Sequence, residues 1–254
     1  MPVTTRRVRH EVEFRRLSVL SNTRITPRMT RIVLHGTALE GFTSPGFDDH
    51  VKCIFPEPGK ALPEPVREDG KLSWPDGMPP ARDYTPRAHD PVRQELVIDF
   101  VVHEGGVASD WAMRAEPGDV LGIGGPRGSF LVEGEADWHL LMGDATALPA
   151  IARRIEELPR GARVMAVIEV VDAAEEQVFE TEATLDTTWL HTAKGQSLSQ
   201  YLKGLALPDG EGFAFFAAEA GVVAEARATF DRLGLPSDSY KAANYWRENP
   251  VAAE

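Results

Sequence analysis

The spacing of apolar residues changes character near residue 138. Before it come short runs rich in β-branched and aromatic residues: "RRLSVLSNTRIT", "MTRIVLHG", "HVKCIFP", "KLSWP", "RDYTPR", "ELVIDFVVH" and "DVLGIGGPRG". Gly, Pro and Asp turn signals separate them, which predicts an antiparallel barrel or sandwich. The segment "FPEPGKALPEPVREDGK" is dense in proline and charge and reads as a surface excursion between strands. After the change, continuous apolar strands alternate with amphipathic helices. "WHLLMG" precedes "ATALPAIARRIEELP", "ARVMAVIEVVD" and "TTWLHT" follow, then "SLSQYLKGL", "GFAFFAAEA" and "VVAEARATFDRLG". That order predicts a parallel sheet covered on both faces. The expected architecture is an antiparallel β-barrel domain over residues 1–135, followed by a parallel-sheet α/β domain over 136–254 with a C-terminal segment. No internal repeat is visible.

Composition narrows the function classes. With 254 residues, 43% of them apolar, the chain can bury a full core in two domains. The arginine-rich start has no apolar leader-like stretch, and the longest apolar runs are about half of the ~20 residues a membrane span needs. A cytoplasmic protein is the expectation. The single cysteine, Cys53, excludes an intramolecular disulfide and a thiolate cluster. A net charge of −12 argues against a nucleic-acid binder, which needs a basic face for phosphates.

Three short segments carry candidate chemistry. In "GIGGPRGSF" the glycines Gly124, Gly125 and Gly128 surround Arg127, and their backbone NH groups could meet an anion; an ordinary turn with an exposed arginine is the other reading. In "LLMGDATALPAIARR" a strand ends at Gly143, Asp144 or Thr146 can cap the next helix, and Pro149 fits its first turn. Such turns bind nucleotide phosphates at the edge of a parallel sheet, although a capped βα connection with no ligand has the same pattern and no full G-x-G-x-x-G is present. In "RDYTPR", Tyr84 offers a face to a planar heterocycle, Thr85 offers a hydroxyl and a backbone NH, and Arg82 or Arg87 offers a fork to phosphate. That set suits a flavin; an edge strand with its arginines in water is the alternative.

Taken in order, "RDYTPR", "LVIDFVVHEGGVASDWAMRAEPGDVLGIGGPRGSF", "LLMGDATALPAIARRIEELP", "FAAEAG" and a terminal "YWR" resemble the siderophore-interacting protein family, flavin-dependent ferric-siderophore reductases of the ferredoxin-reductase superfamily. The resemblance covers nearly the whole chain. It implies an FAD-binding β-barrel, a nicotinamide-binding-like α/β domain, and electrons passed from NADH or NADPH to Fe(III) held by a siderophore, with a ferredoxin as alternative donor.

By position in the matching motifs, the resemblance assigns Arg82, Tyr84 and Thr85 to the flavin. Asp99, Phe100, Val102 and His103 match a D-F-V-x-H segment along the cofactor, and Ala108, Ser109 and Trp111 a turn and helix start against its pyrophosphate. On residues alone His103 is equally a strand histidine and Trp111 equally core. Asp144, Thr146 and Ala147 match a segment near the cofactor and the nicotinamide side. Anionic ferric siderophores call for cations in an acidic protein, and Lys52, Arg127 and Arg247 are the expected set, with Lys241 in reserve. A nicotinamide gives two electrons and Fe(III) takes one, so no catalytic acid or base is expected. Glu169 and Asp172, at the end of the second α/β strand, lean towards NADH, because carboxylates accept ribose hydroxyls and repel a 2′-phosphate. Asn244 stands where the family pattern often has glycine before "YWR".

Overall fold

A computed structural model describes residues 3–69, 71–75 and 77–248. The chain forms two compact units, one of Arg7–Leu131 and the other of Val132–Glu254 with the residues up to Arg6.

The first unit is antiparallel. Its large sheet holds β2 (Phe14–Thr26), β3 (Met29–His35), β4 (Val51–Ile54), β7 (Ala81–Tyr84), β8 (Ala88–Asp90), β9 (Glu95–Val101) and β10 (Val120–Gly124), in the order β7-β4-β10-β2-β3-β9-β8. Alternation along the strands sends one side chain in two to the same face. Cross-strand partners Leu17 and Leu121, Val19 and Leu34, Ile32 and Ile98, and Cys53 and Ile123 therefore meet in one core. Helix α1 (Val107–Arg114) adds Ala108, Trp111 and Ala112 to that core. The first and last strands of the order, β7 and β8, are three residues apart in the chain, so the sheet must curl back on itself. "RDYTPR" is the seam of that curl.

Two parts of the chain before residue 135 differ from the sequence-based expectation. The proline-rich excursion contains β5 (Val66–Glu68), paired with β6 (Lys71–Ser73) as a separate ribbon. The arginine-rich start forms β1 (Thr4–Arg9), which pairs with β11 (Gly128–Glu133). Both strands were hidden because they carry charge instead of an apolar alternation. The glycine turn between β10 and β11 carries the chain from one sheet to another, so it is a corner and not a hairpin. Gly125 there has φ +91, and a Cβ on Gly128 would sit 2.5 Å from the Val8 carbonyl oxygen.

The second unit is parallel: β12 (Trp138–Asp144), β13 (Arg163–Val170), β14 (Thr184–His191), β15 (Gly212–Glu219) and β16 (Tyr240–Trp246), in the order β14-β13-β12-β15-β16. Helices α2 (Leu148–Glu157), α3 (Leu198–Lys203) and α4 (Ala220–Arg232) connect them. The central strands β12 and β15 are buried along nearly their whole length, as continuous apolar runs require. The chain runs outward through β13 and β14, then returns to lay β15 on the other side of β12. That reversal is a topological switch point, with Asp144 and Glu219 at the carboxyl ends of its two strands. Gly143 is obligatory there, since a Cβ would lie 2.5 Å from both the Ala217 carbonyl oxygen and Ala147 Cβ. Among the described residues, no helix is long and apolar enough to cross a membrane.

Candidate functional site

In the antiparallel unit the seam strand β7 puts Tyr84 at the rim of the core. Its ring lies 4.4 Å from that of Phe100, tilted by 44°, and Phe100 packs in turn on Trp111 at 5.9 Å. Burial pushes the Tyr84 phenol well above its ordinary pKa, so it stays a neutral aromatic at any working pH. Phe100 and Trp111 are 0% and 3% exposed; their side chains have no face left for a ligand and act as the floor under Tyr84. Arg82 is exposed, and its Nη1 donates to its neighbour's carbonyl, Ala81 O, at 2.8 Å. Thr85 is buried at the turn.

Asp99 is also buried. Its two oxygens accept from Arg31 Nε and Nη2 at 2.7 and 2.8 Å, with Arg87 Nε 3.8 Å away. This bidentate pair pins β3 to β9 beside the seam and occupies the carboxylate, so Asp99 supports the site through the chain instead of offering a free oxygen. Four residues on, His103 is exposed, and its backbone NH donates to Ser109 Oγ at 2.6 Å. That bond fastens the end of β9, with Val102, to the first turn of α1. The helix starts at Gly106 with no side-chain cap; Val107 is exposed there and Ser109 is buried. A Cβ on Gly106 would fall 2.5 Å from His103 Cε1, so glycine is what lets the imidazole lie across the helix start. Ala108 is buried beneath it.

The glycine corner does not form an anion nest at Gly125, whose NH donates to the Glu13 carbonyl at 2.9 Å. The corner instead presents Arg127, whose own carbonyl accepts from His10 NH at 3.0 Å while its side chain is exposed. Beside it, Ser129 Oγ donates to the buried Asp49 at 2.7 Å and meets His10 Nε2 at 2.7 Å. Lys52, on β4 across from Gly124, pairs with Asp83 at 2.7 Å in a half-exposed ion pair. Cys53 is fully buried and its thiol is pushed up by burial, so it is inert.

In the parallel unit the turn after β12 differs in detail from expectation. Asp144 Oδ1 accepts from Thr146 NH and Oγ at 2.8 and 2.5 Å, closing a turn ahead of the helix instead of capping it. The residue at the cap position of α2 is the buried Ala147, with no side-chain cap, and proline occupies the first turn as expected. The other oxygen, Asp144 Oδ2, accepts from the indole NH of Trp246 at 2.7 Å. This partner, from the far end of the chain, was not legible in the sequence. Glu169 accepts from Leu198 NH at 2.7 Å, and burial pushes its carboxyl up; Asp172 accepts from Ala174 NH at 2.8 Å. Each of these bonds engages one carboxylate oxygen and leaves the second oxygen and the charge in place. Arg247 is exposed, with no side-chain ion pair or hydrogen bond among the described residues.

An antiparallel barrel-like sheet followed by a parallel sheet with a switch point is the architecture of ferredoxin-reductase-like flavoproteins. Residues 18–130 match the model of the siderophore-interacting FAD-binding domain, and residues 136–249 that of the siderophore-interacting protein. The chain belongs to the siderophore-interacting protein family. It is 40% identical over 250 residues to the NADPH-dependent ferric-chelate reductase of Escherichia coli, covering 96% of this chain and 97% of that one. It is 31% identical over 231 residues to the ferric vibriobactin reductase of Vibrio cholerae, covering 88% and 85%. Among solved structures, a siderophore utilization protein from T. fusca aligns with TM-score 0.89 at 38% identity, over 98% of both chains.

The residues of the antiparallel unit fit FAD. An aromatic face on a rigid aromatic floor, a guanidinium with no acidic partner among the described residues, and an uncapped helix start meet the ring, the phosphates and the negative charge of a flavin dinucleotide in kind.

Proposed function

We propose that the protein is an FAD-dependent ferric-siderophore reductase that takes electrons from NADPH or NADH and releases iron from its chelate as Fe(II). The observation that carries this reading is the seam "RDYTPR" within a family FAD-binding domain. There one four-residue strand exposes the Arg82 guanidinium and sets the Tyr84 ring on Phe100.

When bound, FAD supplies the change from two-electron to one-electron transfer that lies between a hydride donor and Fe(III). Tyr84 would offer its face to the flavin ring, Thr85 its hydroxyl and backbone NH, and Arg82 would neutralise phosphate. The start of α1, with Ala108 and Ser109, would lie against the pyrophosphate, while the Ser109–His103 bond fixes the strand end that carries Val102 and His103. Asp99, Phe100 and Trp111 keep that surface rigid from beneath. Thr146 and Asp144 hold the β12 turn in one shape, and buried Ala147 allows the close approach of α2 that Gly143 also requires.

Lys52 and Arg127 in the antiparallel unit and Arg247 in the parallel unit are the cations that attract an anionic ferric complex to a chain of net charge −12. The protein needs no acid or base for the transfer. Reduction weakens hard-oxygen coordination and frees the metal. NADPH is the donor named for the Escherichia coli relative, while the carboxylates of Glu169 and Asp172 lean the choice in this chain towards NADH. An acidic ferredoxin would meet an acidic chain, which disfavours it as donor, and a cytoplasmic setting supplies the nicotinamide.

Equilibrium dialysis of the flavin-free protein against FAD tests the binding half of the proposal. One flavin retained per chain supports it, and no retention overturns it.

A further inference from the structure

The end of the parallel sheet holds a side-chain bridge that neither flavin binding nor the fold requires. Trp246 is the last residue of β16, an edge strand separated from β12 by β15. Two strand spacings put β12 roughly 10 Å away, yet the indole NH reaches Asp144 Oδ2 at 2.7 Å. A register break makes the reach possible. Ala218 pairs with Asn244 but Glu219 pairs with Trp246, so Tyr245 is an extra residue on β16. Such a bulge re-aims the side chains that follow it. Trp246 remains 45% exposed, so the bridge is not a by-product of burial. Immediately after Arg247, the NH of Glu248 approaches Glu219 Oε1 at 3.4 Å, a longer and weaker contact.

We infer that Trp246 is a positioning residue for capture of the ferric complex: its bond to Asp144 clasps the C-terminal strand so that Arg247 is presented as a fixed cation at the carboxyl edge of the sheet. The inference rests on the proposed role of Arg247. A flexible guanidinium after a free strand end would spend most of its time elsewhere, and fixing it lowers the ordering cost of binding. The clasp holds Arg247 on its N-terminal side, and the Glu219 contact limits it on the other. Asp144, placed by sequence at the nicotinamide side, is here bound to Thr146 through one oxygen and to Trp246 through the other. It couples the β12 turn to the C-terminal strand.

The test uses redox-inert probes on the FAD-loaded protein, so binding is read apart from turnover. The affinities of the trianionic gallium(III) tris(catecholate) and the neutral gallium(III) tris(acetohydroxamate) are measured by calorimetry for the wild type, Trp246→Phe, Arg247→Ala and the double variant. Trp246→Phe keeps an aromatic ring and removes the NH donor. The inference predicts about fivefold weaker binding of the trianionic probe by Trp246→Phe, unchanged binding of the neutral probe, and a double variant no worse than Arg247→Ala alone. If Arg247→Ala weakens the anionic probe but Trp246→Phe does not, or if the two losses add, the clasp is overturned and the role of Arg247 stands. Equal losses with the neutral probe also overturn the clasp, because its effect would then be general to the fold. If Arg247→Ala changes nothing, the proposed role of Arg247 is wrong and the clasp goes with it.

Discussion

The two units place their polar groups differently. In the antiparallel unit the Arg82 and Arg127 side chains are exposed with no ion pair among the described residues, and the start of α1 has no side-chain cap. At the carboxyl edge of the parallel unit, the carboxylates are engaged within the chain. Asp144 serves Thr146 and Trp246, Glu169 serves Leu198, Asp172 serves Ala174, and Glu219 accepts from the first NH groups of α4. A surface that keeps its donors open, over an aromatic floor with no freedom to move, suits a resident anionic cofactor. A surface whose acids are already bonded is held in shape by its own hydrogen bonds, which suits reagents that arrive and leave. The first arrangement is built for retention and the second for turnover.

The contrast can be broken at several points. The largest effect belongs to Gly143→Val, which drives a side chain into the Ala217 carbonyl and Ala147. A loss of about 4 kcal/mol in urea unfolding is expected. An unperturbed midpoint would mean that α2 does not pack as described. Next comes Arg31→Ala, which strips the bidentate partner from buried Asp99 and should cost about 3 kcal/mol, with weaker FAD retention because the seam loosens.

A pH effect should belong to the parallel unit. Buried His139, on β12, has its pKa lowered to about 4 by burial and by Arg154. The unfolded chain takes up a proton near the ordinary histidine value that the folded chain refuses. This contribution to stability is complete above about pH 6.5 and is lost as pH falls towards 4. It should amount to about 2 kcal/mol between pH 7 and pH 5, visible as a shallower pH dependence in His139→Gln. Identical profiles would remove the assignment. The smallest effect sharpens the cofactor half: Tyr84→Ala should retain FAD about tenfold more weakly, read as visible flavin absorbance per chain after gel filtration. Full retention would take Tyr84 out of the site.

Much of the fold was legible because its core strands obey their periods. Leu17 and Val19 on β2, or Leu96, Ile98 and Phe100 on β9, alternate inward, whereas β12 and β15 are apolar throughout. Strand β1 was illegible because its six residues are threonines, arginines and one valine, held by pairing with β11 and by the Arg6–Glu133 ion pair instead of burial. In the site, local chemistry could be read where the residues are consecutive, as in "RDYTPR". The long-range partners could not. Arg31 and Asp99 lie 68 residues apart and Asp144 and Trp246 lie 102 apart, and no spacing rule reports such a pair before the chain has folded. The motif placed Phe100 and Trp111 along the cofactor, with core as the other reading for Trp111, and both side chains lie buried beneath Tyr84.

The most direct measurement of the central claim is an anaerobic absorption trace of the FAD-loaded protein, first with NADPH and then with a trianionic ferric tris(catecholate). The account predicts that the visible flavin band bleaches with the nicotinamide and returns as ferric complex is added, two irons reduced for each NADPH consumed. A band that never bleaches, or that bleaches and does not recover with the ferric complex, would contradict it.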